Sequence, residues 1–104
     1  MAVHLLCVQE PVSIALVGAG DRIEVRIQDG VTVSFLCQPD DLRQVLDGMA
    51  LQLSADLGHC LITRASSGEL HCEYSIQGHG RKACNFPCEK LESAIEEIRS
   101  NGDR

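Results

Sequence analysis

The residues best able to do chemistry are concentrated in Gly78-His79-Gly80-Arg81-Lys82-Ala83-Cys84-Asn85-Phe86-Pro87-Cys88. Two cysteines stand four apart beside an imidazole and two cations, where a helix is expected to begin. A helix N-terminus and nearby positive charge both lower a thiol pKa and favour the nucleophilic thiolate. Cys84 and Cys88 are therefore the candidate reactive thiols, and a thiol-based redox or metal-binding protein is the rival functional reading. The spacing is C-x3-C, however, not the C-x-x-C of redox proteins, and the surrounding strand-and-helix order is not a thioredoxin pattern. A glycine-containing loop with two half-buried cysteines accounts for the same residues.

Cys72, His79, Cys84 and Cys88 also supply four acceptable zinc ligands within seventeen residues. Their gaps match no common finger, and Cys72 belongs to the core face of a strand pattern, pointing away from the loop. The dipeptides His59-Cys60 and His71-Cys72 cannot each clamp one metal, because neighbouring strand residues face opposite sides. We expect no metal and no cofactor. Val17-Gly18-Ala19-Gly20-Asp21 resembles the opening of a dinucleotide-binding loop, but such a loop must feed a helix. A strand pattern follows instead, so this is a hairpin turn. His4, His59, His71 and His79 have no nucleophile elbow or other local signature to join, and an enzyme is not expected.

The elements that must position these residues are clearest over 22 to 54. Ile23, Val25 and Ile27 alternate with polar residues, and Val31, Val33, Phe35 and Cys37 alternate with Thr32, Ser34 and Leu36, which is the period of a half-buried strand. A three-residue loop, Gln28-Asp29-Gly30 with Gly30 left-handed, pairs Ile27 with Val31 and Val25 with Val33. After Pro39, a favoured first-turn residue, Leu42, Val45, Leu46, Met49 and Leu53 recur at helical spacing, with Asp40 and Asp41 at the positive end of the dipole.

Before this unit, Val3–Val8 and Val12–Val17 read as strands turning at Gln9-Glu10-Pro11, with Leu16 opposite Ile23 and Ile14 opposite Val25. Beyond it, a second hairpin pairs Leu61 with Tyr74, Thr63 with Cys72 and Ala65 with Leu70. A last helix from about Pro87 to Ser100 carries the stripe Leu91, Ala94, Ile95 and Ile98. The fold expected is α+β: an antiparallel β-sheet, order ββββαββα along the chain, with two helices packed on one face. The hairpin-helix unit occurs twice, and an ungapped overlay sets Ile27 on Ile76, Leu42 on Leu91 and Leu46 on Ile95. Val25, Val33, Phe35, Leu42, Leu46, Tyr74, Leu91 and Ile95 should share one core.

Composition narrows the function classes. A chain of 104 residues with 44% hydrophobic and 23% charged residues makes one ordinary globular domain, 1–104. A formal charge of −6, scattered cations and only three aromatic residues argue against a nucleic-acid partner. The apolar N-terminal run lacks a preceding Lys or Arg and is broken by Glu10 and Pro11, so neither a signal peptide nor a membrane span is expected. Cysteines on inward strand positions act as small hydrophobes, and we expect a reduced, cytoplasmic protein. The first two strands are apolar at nearly every position, so both of their faces call for burial. Leu6, Val8, Ala15, Val17 and Leu36 are thus expected to form an exposed apolar patch. A patch of that kind marks a protein interface: a binding module, homodimeric, regulating or inhibiting a partner protein by sequestering it.

Overall fold

The structure, a computed structural model describing residues 3–102, is built from two ββββα units. The first contains β1 (Val3–Gln9), β2 (Val12–Ala19), β3 (Arg22–Asp29), β4 (Val31–Cys37) and α1 (Pro39–Leu46). The second contains β5 (Leu51–Ala55), β6 (Gly58–Ser66), β7 (Glu69–Ile76), β8 (Gly80–Pro87) and α2 (Cys88–Gly102). Each unit forms its own four-stranded antiparallel meander, in the orders β1-β2-β3-β4 and β5-β6-β7-β8. The α+β class and the order of the expected elements hold, with β5 and β8 added as edge strands of the second sheet. The repeat seen in the sequence is one of whole units, since β4 and β8 begin 49 residues apart, as do α1 and α2.

Both additions arise where two periods compete for the same residues. Leu53 was expected on the stripe of the first helix, but α1 stops at Leu46, followed by a turn at Asp47-Gly48. Leu51 and Leu53 then alternate with Gln52 and Ser54 on β5, where Leu53 is buried, while Met49 stands exposed. At the start of α1 the Gln38 amide donates to the Asp41 carboxylate at 3.0 Å, half of a capping box. Likewise, residues 80–87 form not a loop but β8, with Cys84 and Phe86 inward.

Hairpin registers differ from expectation in two ways. Ile14 pairs with Ile27, Leu16 with Val25, and Val25 with Phe35, each two residues from the expected partner. A slip of two keeps every side chain on its face, so the core is unchanged. Gly30 is left-handed as expected, at φ 77°, but it stands alone between the paired Asp29 and Val31. In the β6–β7 hairpin, Cys60 pairs with Tyr74 and Ile62 with Cys72. A bulge between Arg64 and Ser66 makes this slip one residue, so Cys60 and Ile62 turn inward in place of Leu61 and Thr63.

The inner faces of both sheets and the apolar stripes of both helices share one core. Val25, Val33, Phe35, Leu42, Tyr74, Leu91 and Ile95 are buried in it, with Leu46 at its edge. Helix α1 packs against β5 and β6, α2 packs against β1, β2 and β8, and the two helices touch. Ile98 lies over Gly18 on the inner face of the first sheet, where a Cβ would sit 3.3 Å from its methyl. The sheets approach each other where β1 meets β8 and β4 meets β5. Between the two sheets, buried Asp29 of β3 accepts from the Lys82 ammonium of β8 at 2.6 Å.

Candidate functional site

The six cysteines are all free and all buried. Cys84 is directly opposite Cys72 across β7–β8, Cys60 Sγ lies 3.5 Å from Cys72 Sγ, and the Cys7 and Cys84 thiols interact. Burial pushes the Cys84 thiol up to about 12, helped by its contact with Cys7. Cys37 is pushed up to about 12 by burial and by the Asp41 carboxylate. Cys72 is raised by its interaction with Cys60 and by burial. This is the reverse of a reactive thiol, because the apolar interior disfavours the thiolate. The expected helix-start position of Cys84 does not occur, since it lies inside a strand. Cys88 is the first residue of α2 but is itself buried.

His79 sits in the exposed β7–β8 turn, its ring against the Gly30 turn. Among the described residues, no three His, Cys, Asp or Glu side chains come together as a metal site, so Cys72, His79, Cys84 and Cys88 are not gathered around one point. No helix among them is long and apolar enough to cross a membrane.

The outer face of the first sheet is different in character. Val3 (51% exposed), Leu5 (54%), Val8 (55%) and Leu36 (55%) project from it. Beneath them lie Ala15 and Val17, both buried: Ala15 is flanked by Leu5 and Arg26, and Val17 by Val3 and Glu24. Of the expected patch, Val8 and Leu36 are exposed. Ala15 and Val17 hold the correct face but form its floor, because central-strand residues are shielded by longer neighbours on both sides. Leu6 is a correction of another kind, being 1% exposed and part of the core. The β1–β2 register shifts between Leu5 and Cys7, so Leu6 and Cys7 both turn inward and Leu5 takes the outward place. Val3 and Leu5 were missed for this reason: in Val3-His4-Leu5-Leu6-Cys7-Val8 almost every residue is apolar, and alternation carries no signal of which face is which.

Six polar residues on this face bond to one another. Glu24 accepts from the Arg26 guanidinium and from the Ser34 hydroxyl, both at 2.8 Å, and these bonds hold its carboxyl below the usual range. The Ser13 hydroxyl donates to Gln28 at 3.3 Å, and the Gln28 amide donates to Thr32 at 3.4 Å. These six can be covered without stranding any of them.

The outer face of the second sheet is polar by contrast. A chain of bonds runs from His71 to Asn85 (2.5 Å) to Glu69 (2.9 Å), and Ser54 bonds His59 at 3.2 Å. Surrounding Gln52, Leu61, Glu73, Ser75 and Arg81 line only a shallow depression. Chemically, then, the first sheet's outer face exposes apolar side chains, and the cysteines pack in the core. No family model, curated protein or solved structure matches the chain.

Proposed function

We propose that this chain is a small cytoplasmic protein-binding module that self-associates through the outer face of its first sheet. The observation that carries the reading is the set Val3, Leu5, Val8 and Leu36, four half-exposed apolar side chains on a floor of Ala15 and Val17. Patches of this kind on small domains mark contact surfaces.

The occupant is a second copy. With a formal charge of −6 two copies repel at long range, but on the face itself Arg26 and Glu24 are paired and the remaining charge is the exposed Arg22 at its end. A two-fold axis sets the same patch against itself, so apolar meets apolar without a new charge complement. Full burial of a large apolar side chain is worth about 1.5–3 kcal/mol, and half-exposed ones recover about half of that. Eight of them across the axis suit a reversible micromolar dimer rather than an obligate one. A reversible dimer leaves the face free to exchange, as a regulator that sequesters a partner protein requires.

Sedimentation velocity across a dilution series tests this. The wild-type chain should dimerise at micromolar concentration, and Val8→Lys/Leu36→Lys should be a folded monomer. Because both side chains are exposed, the variant should melt as the wild type does at concentrations below the dimerisation midpoint. A wild-type chain that stays monomeric at high concentration overturns the reading.

A further inference from the structure

We infer that the groove between β1 and α2 binds an extended basic segment of a partner protein, with apolar residues alternating between its cations. The inference rests on the protein-binding reading of the adjoining face, with which it shares Val3 and Leu5.

The groove has a volume of about 510 Å³ and two unlike walls. One side is β1, where Val3 and Leu5, two residues apart and both half-exposed, stand on the outer face of the sheet while His4 between them turns in towards the helix. The other is α2, which presents Glu89, Ser93 and Glu97 at a spacing of four, with buried Ala94 at its base. Lys90 also lines the groove, so two carboxylates face one ammonium there. Glu97 is held in place, its carboxylate 3.1 Å from His4 Nδ1, and the His4 ring is largely buried between strand and helix. The other imidazole nitrogen, Nε2, is buried without a partner, so the ring belongs to the wall and not to solvent.

The two walls have matching periods. Eight residues of helix place Glu89 and Glu97 roughly 12 Å apart. Two cations four residues apart on an extended chain are separated by about 13 Å. The residues one and three places after the first cation then project to the opposite side about 6.6 Å apart, which is also the separation of residues two apart on β1. Laid alongside β1, a segment of pattern basic–apolar–polar–apolar–basic can therefore turn its cations in to α2 and its apolar side chains out beside Val3 and Leu5. The chain's overall negative charge favours approach of such a segment.

The test uses a synthetic peptide, acetyl-Ser-Lys-Leu-Ser-Leu-Lys-Ser-amide, titrated into the 15N-labelled full chain. Controls replace both lysines by Glu, or both leucines by Ser. Amide shifts should cluster on β1 and α2, saturate, and weaken with added salt. Neither control should saturate. Glu97→Lys should weaken binding about tenfold, which corresponds to about 1.4 kcal/mol. Glu92→Lys changes the net charge equally but lies off the groove, and should leave binding close to wild type. The inference is overturned if the two charge reversals weaken binding alike, if the Ser-for-Leu peptide binds equally well, or if the shifts map elsewhere. Val8→Lys/Leu36→Lys, which spares the groove, separates the two readings. Peptide binding retained by this variant supports the groove whether or not the wild type dimerises. A dimeric wild type that ignores the peptide sinks the groove alone.

Discussion

Among single residues, Asp29 and Lys82 have the clearest consequence. The Asp29 carboxylate is buried and paired with an ammonium from the other sheet. Removing the cation strands a buried carboxylate, and such a group costs several times what an exposed pair gains. Lys82→Met should cost about 2–3 kcal/mol in urea unfolding, and Asp29→Asn added to it should recover part of the loss. The thiols give a pH dependence. Cys37 and Cys84 are raised to about 12 in the fold against 9.0 when unfolded, so above pH 9 the unfolded chain releases protons that the folded chain keeps. Stability is fully present below pH 9 and falls as pH rises from 9 towards 12, by up to about 1.4 kcal/mol per unit for each thiol. Unfolding midpoints at pH 8 and pH 10.5 measure this, and a flat profile would refute the burial of these thiols. Glu24 acts in the opposite sense. Its carboxyl is lowered by Arg26 and Ser34, so its contribution is present at neutral pH and lost on acidification below its usual value of 4.5. For a pair near the surface that contribution is about 0.5 kcal/mol.

At the scale of elements, register is decided by a few backbone irregularities. Gly58 begins β6 opposite Ile76, and a Cβ there would run into the Ser75 carbonyl. Backbone cannot give way as a flexible side chain can, so Gly58→Ala should destabilise by about 2 kcal/mol or more, read as a lower thermal midpoint. Gly68→Ala, with open space around its Cβ, is the matched control. The two bulges are the other irregularities. Each inserts one residue and reverses which side chains face inward beyond it, at Leu6-Cys7 on β1 and near Ala65 on β6. That is why the β3 and β4 faces were legible from alternation, while Leu5, Leu6, Leu61 and Thr63 were not. Leu6→Lys and Leu5→Lys separate the alternatives directly: the first should unfold the protein, and the second should leave it folded but impair association.

For the whole molecule, the two units meet around one core, and their outer faces differ in chemistry. The sequence alone determined the α+β class, the antiparallel hairpins, the positions where both helices begin and most of the buried set, because each depends on periodicity within a few residues. It also pointed to the first two strands as the source of an apolar surface, since too many of their residues call for burial at once. The existence of β5 and β8 was decided by tertiary structure, where pairing with β6 and β7 outweighed the helical or loop readings of the same residues. So was the fate of the cysteines. Cys84 looked like a helix-start thiol in the sequence and became a core residue once the strand formed and turned it towards Cys7. The groove between β1 and α2 joins residues more than ninety positions apart, and His4 meets Glu97 only because the second unit folds back on the first. Local spacing carries no record of such contacts, for they depend on how two separately legible units close on each other.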